Sequence, residues 1–417
     1  MDTMENPPIA AQERKLTNRL EHYLSLTAEY GIYLYVFLSL FDRGEGLRTV
    51  GLYGALTGWV ILAFFSKRIT ITVDIIICSF SLFIASTILS SFFSIEPVYS
   101  LKALMGDALK SAVTFLIISS FFNTKMLIRL SKVICISGLI ILAFGLHRFL
   151  LGKMHIYTSK NIFLSLDKNE FGFFVGLFYP FFIMFFFKSN TMFKKGFWGL
   201  SSISGIFGTI FSASRVSIGN IFAALAIWAV FMLKRVHIKK VLISAIIIGL
   251  LIIISFNFWP ELIRRQVFSM PEELYSFHSR TNWFWKPAIE AVKKRPLFGW
   301  GCGSKIYRDE RPFENSEKPN WALRGGLHST FISVLFHQGI FGLMSYLLLL
   351  LSTTFILFKM ALKEKEDKKL LAIALLSIIV GSAFVNSFLL SIPLKRLAPI
   401  LGMSSALFKN RSTFSKD

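Results

Sequence analysis

Charge is scarce in this chain, and acid is scarcer than base. Only 17% of its 417 residues are Asp, Glu, Lys or Arg, and 24 acidic side chains stand against 46 Lys and Arg. With 54% hydrophobic residues and 45 Phe, the composition excludes a soluble domain of this size and identifies an integral membrane protein. Cysteine is nearly missing as well. Cys78 and Cys135 fall in apolar runs and Cys302 stands alone in a polar stretch, so a disulfide framework, a thiolate metal cluster and redox chemistry are not indicated. There is no internal repeat, low-complexity tract or coiled-coil heptad. A Ser/His/Asp arrangement, a phosphate-cradling glycine loop and a dinucleotide fingerprint are equally lacking. No His/Asp/Glu cluster has metal-ligand spacing, so neither a metal nor another cofactor is expected.

What the chain does have is apolar runs long enough to cross roughly 30 Å of hydrocarbon. About twelve occur, near 28–41, 47–66, 71–92, 103–122, 129–149, 171–187, 197–213, 217–233, 240–258, 339–359, 370–390 and 397–409. Residues 1–26 are polar, carry Arg14, Lys15 and Arg19, and lack the small-residue cleavage site of a secretory signal. The N-terminus is therefore expected to stay cytoplasmic. Counting from there, the short cytoplasmic loops hold Lys67-Arg68, Lys125, Arg129 and Lys132, Lys188, Lys194 and Lys195, Lys234-Arg235, and Lys363 to Lys369, as the positive-inside rule requires. That topology accounts for much of the net charge of +22, so no nucleic-acid partner is expected. The chain divides into a cytoplasmic segment (1–27), spans one to nine (28–259), one large external loop with short helices (260–338), spans ten to twelve (339–409) and a cytoplasmic tail (410–417).

Three residues in the external segments could carry chemistry. Arg215, in "FSASRVSIGN", lies at a tight outer turn where basic residues are least expected. It either snorkels to lipid phosphates or serves as a fixed cation for a phosphate or diphosphate, which guanidinium binds bidentately. Arg280 precedes a short amphipathic helix expected from Asn282 to Lys294, with Trp283, Trp285, Ile289 and Val292 as its apolar set. It is either an exposed loop residue or an anion ligand near a helix start. Trp283, Trp285, Trp300 and Trp321 suit stacking on sugar rings and suit an interfacial belt equally. His328, in "RGGLHSTFISVLFHQGIFG", opens a helix at the loop–membrane border, where a neutral imidazole can accept a proton from a hydroxyl; a structural role competes. His337, nine residues on, faces the opposite way if residues 328–338 are helical. "LDKNEF" places Asp167, Asn169 and Glu170 in an outer loop, either as a cation site or, the favoured reading, as polar lining of a cavity, with Asn169 the candidate carried forward.

The late external loop, the Arg in "SASR", the "PLFGWG" segment and "HSTFISVLFHQGIFG" at the loop's exit together resemble the bacterial O-antigen ligase and polymerase superfamily. The resemblance implies an all-α integral membrane protein of about twelve transmembrane helices with one large periplasmic loop, similar to the C-type membrane glycosyltransferases. It implies a metal-independent enzyme of the bacterial inner membrane, embedded among membrane lipids and active on the periplasmic side. The donor it implies is a glycan on undecaprenyl diphosphate. The acceptor is a sugar hydroxyl of lipid A–core in a ligase, a second lipid-linked repeat in a polymerase, and a protein hydroxyl in some relatives. His328 matches the family's loop-exit histidine, the proposed general base, and Arg215 and Arg280 match its two diphosphate-holding arginines. Asn169 and Trp283 are looser candidates for the cavity wall. The family often has Asn after the histidine, whereas Ser329 follows here.

A secondary transporter is the competing class, with Asp74, Asp107, Lys110 and His147 as its ionisable residues in or near spans. Within the enzyme class the basic loop, with Arg280, Lys286, Lys293, Lys294, Arg295, Arg308 and Arg311, leans towards a phosphorylated acceptor and hence a ligase; a solvated charged surface explains the same residues.

Overall fold

A computed structural model of the chain describes residues 9–41, 44–65, 69, 73–150, 168–212, 215–232, 281–309, 311–313, 327, 329–388 and 394–412, with backbone alone at several helix ends. The described residues form helices and no strand. In chain order these are α1 (Ile9–Ser39), α2 (Glu45–Phe65), α3 (Ile75–Phe92), α4 (Pro97–Phe121), α5 (Thr124–Leu150), α6 (Lys168–Lys188), α7 (Met192–Ser212) and α8 (Arg215–Met232). A π-helical turn (Thr281–Trp285), α9 (Lys286–Lys294) and α10 (Ser304–Arg308) follow, and then α11 (Thr330–Lys363), α12 (Glu366–Phe388) and α13 (Leu394–Ser412). A helix stands at each expected span except 240–258, which lies outside the described residues. Among the described residues five helices, α2, α3, α5, α6 and α11, are long and apolar enough to cross a membrane.

Local chemistry sets the ends. Asp74 caps α3 by accepting the Ile77 amide at 2.8 Å, and Pro97 occupies the first turn of α4, where its missing N–H costs nothing. Within the helices Ser and Thr hydroxyls donate to carbonyls one turn back, as Ser79 does to Ile75 and Thr87 to Phe83. Buried hydroxyls are thereby satisfied in an apolar surround. The packed interior runs through α3, α4, α6, α11, α12 and α13, with Phe115, Phe178, Leu349, Ile379 and Met403 all fully or almost fully enclosed.

Pairwise contacts fix the direction of each helix. Asn220 of α8 donates to Gly172 of α6 at 2.9 Å, so α6 and α8 start at the same end. A Cβ on Gly381, late in α12, would lie 2.9 Å from the Asn220 side chain, so α12 finishes there. Helix α11 runs antiparallel to α3: Ser86 and Ser90 reach Gln338 and the His337 carbonyl, and Ser352 reaches Ser79. The starts of α4, α6, α8 and α11 thus share one end of the bundle, here called the loop end. The opposite end holds the Lys188–Asp367 ion pair, Asp74 bonded by the Ser405 hydroxyl at 2.6 Å, and Lys409 donating to Ser120 at 3.2 Å.

Asp74 is therefore a helix cap at the bundle's edge. Lys110 pairs with Glu45 at 3.4 Å, across to the first turn of α2. Asp74 thus sits at a helix end, whereas Lys110 lies midway along α4.

Candidate functional site

The loop end is organised by the segment "RPLFGWGCGS". Three of its glycines, Gly299, Gly301 and Gly303, have φ of 68°, 105° and 107°, a region side chains avoid. This lets the backbone of 296–301 lie directly against α11. The amides of Trp300 and Gly301 donate to the carbonyls of Phe336 and His337, both at 3.0 Å. In return the amides of Ile340 and Phe341 donate to Pro296 at 2.8 Å and Leu297 at 3.3 Å. Between these two sets of bonds α11 breaks at Gly339 (φ 67°, ψ −165°). The loop satisfies amides that the break frees from the helical ladder.

His337 completes this bracket. Its Nδ1 lies 2.7 Å from the Gly301 carbonyl, which can only accept, so Nδ1 is assigned the proton. Its own carbonyl accepts from the Ser90 hydroxyl of α3 at 2.5 Å. His337 and His328 are not two positions of one helical wheel. The helix starts at Thr330, and Ser329, buried and extended (φ −151°, ψ 128°), is its N-cap, accepting the Ile332 amide at 3.4 Å. His328 precedes the cap. Ser329, where the family often has asparagine, has a local task here: its hydroxyl satisfies one of the amides left free at the helix start.

A small core holds the rest of the loop against α11. Ala288, Ala291 and Val292 of α9 pack with Trp300, Ile306, Phe313, Leu327 and Phe336. Phe313 stacks on Phe336 at 5.5 Å. The Trp300 indole donates to Ala291 at 2.9 Å, and the Trp285 indole donates to Leu327 at 3.0 Å. The apolar face differs from the expected one: Ile289 is exposed while Ala288 and Ala291 are buried. The π-helical turn at 281–285 adds a residue ahead of α9 and rotates its face relative to a continuous α-helix.

The basic residues sort into two groups. Arg295 lies over the Trp300 ring at 4.8 Å and donates to the Phe93 carbonyl at 2.9 Å. Arg311 bonds Asp309 at 2.6 Å and Glu96 at 3.1 Å, and Lys305 meets the other Glu96 oxygen at 2.7 Å. The bonded Arg311 guanidinium holds the Asp309 carboxyl below its ordinary pKa. Arg295 and Arg311 are thus engaged within the protein, and the side chains of Lys286, Lys293 and Lys294 lie on the exposed face of α9. Burial raises the pKa of the Cys302 thiol, which keeps it protonated and inert.

Of the residues singled out in the sequence, Asn169 is in the first turn of α6, Arg215 opens α8 and Trp283 sits in the π-helical turn, with backbone alone described for each. Arg280 and His328 lie outside the described residues, as do Asp167 and Trp321, and only the backbone of Arg308 and Glu170 is described. The described residues nearest to two of them in sequence do meet: Thr281 begins the turn that ends in Trp285, whose indole is bonded to the carbonyl of Leu327. Among the described residues no group of three or more His, Cys, Asp or Glu is placed to hold a metal. Sequence reasoning missed the bracket itself, His337 with Ser90 and Gly301, although "GWG" and "HQG" marked both of its halves.

These features define a multi-helix membrane protein whose loop segment 296–301 is built onto a broken helix, α11. Residues 200–347, about a third of the chain, match the family described as O-Antigen ligase (Wzy_C), a stretch that takes in Arg215, Arg280 and His328. The match supports the resemblance to the O-antigen ligase and polymerase superfamily, and with it a glycosyltransferase-like enzyme. A search of curated proteins finds no match.

Proposed function

We propose that the chain is an O-antigen ligase: a metal-independent, inverting glycosyltransferase that moves a glycan from undecaprenyl diphosphate to a sugar hydroxyl of lipid A–core. It works at the periplasmic face of the bacterial inner membrane, with both termini cytoplasmic and about twelve spans, the large loop facing the periplasm. The observation that carries this reading is the family match over 200–347, which includes both arginines and the histidine.

The chemistry follows from those residue types. Arg215 and Arg280 hold the donor diphosphate and offset the charge that develops as the sugar–oxygen bond breaks, the task a divalent cation performs in other transferases. His328 takes the proton of the acceptor hydroxyl as its oxygen bonds the anomeric carbon, and diphosphate leaves from the opposite face, inverting that centre. Asn169 and Trp283 line the cavity. The exposed Lys286, Lys293 and Lys294 suit a phosphorylated acceptor, which favours lipid A–core. A polymerase shares the donor site and differs in the acceptor.

The test is a reaction of the purified protein with an undecaprenyl-diphosphate-linked glycan, lipid A–core and a lipid-linked single repeat in competition, in EDTA, with His328→Ala as control. Glycan on lipid A–core supports the ligase. Longer lipid-linked chains make it a polymerase, and no His328-dependent product overturns both.

A further inference from the structure

Asn220 of α8 carries a buried amide, 3% exposed, seated between α6 and α12. Glycines make room for it on both sides. A Cβ on Gly176 of α6 would lie 2.7 Å from its amide group, and one on Gly381 of α12 would lie 2.9 Å from its Oδ1. Nδ2 donates to the Gly172 carbonyl at 2.9 Å; that carbonyl can only accept, which assigns the orientation of the amide. Oδ1 is enclosed, and no described residue donates to it.

A buried carbonyl without a donor weakens a fold, and an apolar side chain of similar shape would avoid that loss. Net stability alone does not account for an amide here. A single buried asparagine between helices fixes their register, because sliding breaks its bond whereas apolar packing tolerates the slip. Register matters at this place. Arg215 opens α8 five residues before Asn220, about 7.5 Å along the axis, and Asn169 lies in the first turn of α6, three residues before Gly172. A slip of α8 by one residue would move its start by about 1.5 Å and turn it by about 100°.

We propose that Asn220 is a positioning residue. Its bond to Gly172 and its seat between Gly176 and Gly381 fix the height and rotation of the α8 start, and with it the backbone of Arg215, relative to α6. Being enclosed, Asn220 acts through Arg215, on the reading that Arg215 holds the donor diphosphate.

The test is steady-state kinetics of the purified full chain in EDTA, with the lipid-linked glycan as donor and whichever of lipid A–core and a lipid-linked repeat it accepts. Asn220→Leu keeps a branched side chain of similar length and removes the donor N–H. Its kcat is expected to fall about tenfold to a hundredfold and its donor KM to rise. Acceptor KM and the thermal unfolding temperature stay near wild type. Added to Arg215→Lys, the same substitution is expected to change kcat by less than about threefold, since the arginine it positions is already gone. Should Asn220→Leu fail to fold, Asn220→Ala carries the same comparison without crowding the glycine notch. Equal fold losses in both backgrounds, or a loss of activity that only follows a lowered unfolding temperature, make Asn220 structural and overturn the proposal. Transfer that depends on Arg215 and is indifferent to Asn220 overturns the positioning role alone. Transfer that Arg215→Lys leaves untouched, or no transfer by the wild type, overturns the reading of Arg215 and the positioning role together.

Discussion

The indole of Trp285 donates to the carbonyl of Leu327 across 3.0 Å, tying the turn that follows Arg280 to the residue that precedes His328. Two positions far apart in sequence are thereby linked through one side chain. Trp285→Phe keeps the ring and removes the donor. We expect stability to fall by about 1 kcal/mol and turnover by roughly tenfold, because a catalytic group shifted by a fraction of an ångström loses its alignment. Turnover equal to wild type would detach this contact from catalysis.

At the proposed catalytic positions, His328→Ala is expected to lower kcat by roughly 10²–10⁴ while the protein remains inserted and folded. Arg215→Lys and Arg280→Lys should each lose much activity, since a point charge cannot reproduce the bidentate fork. Steady-state kinetics on the purified variants decide this, and wild-type rates in both lysine variants would return the arginines to structural roles.

Gly339→Ala reads the bracket directly. A Cβ at this position would lie 2.4 Å from the Leu297 carbonyl, on a backbone at φ 67° that glycine alone adopts comfortably. The strain is roughly 1–3 kcal/mol or more, and thermal unfolding in detergent should fall by several degrees. Unfolding unchanged from wild type would show that the kink adjusts freely.

The Asp309–Arg311–Glu96 cluster predicts a pH dependence of stability. Because Arg311 depresses the pKa of Asp309 in the folded chain, its contribution is present above the ordinary carboxylate range and is lost as pH falls through the lowered folded value. Wild type should therefore exceed Asp309→Asn in stability at neutral pH and converge with it in acid. The Arg311 side chain is half exposed, so the difference is small and shrinks further in salt. A difference that grows on acidification would contradict the assignment.

Activity is expected to persist in excess chelator, measured as product formed with EDTA against product formed with magnesium. Strict dependence on a divalent ion would shift the donor site towards Asp167 and Glu170.

The sequence by itself determined that this is a helical membrane protein and marked a helix at each expected span among the described residues, because apolar runs of span length and basic loops are properties of the local chain, whereas α1, α4 and α11 begin earlier than their apolar runs. It also marked the stretches around Arg215, Arg280 and His328, since an arginine at an outer turn and a histidine at a loop exit are visible one residue at a time. Only the tertiary structure decided that Ser329 is the cap of α11, that α9 turns Ala288 and Ala291 inward rather than Ile289, and that Arg295 and Arg311 are engaged internally. It also decided the pairing of "GWG" with the break at Gly339, in which Gly301 and His337 are separated by 36 positions. The physical reason is the same in each case: a cap, a helix phase after a π-helical turn, an ion-pair partner and a loop-to-helix bracket depend on groups that sequence spacing does not bring together. Packing alone sets which of them meet.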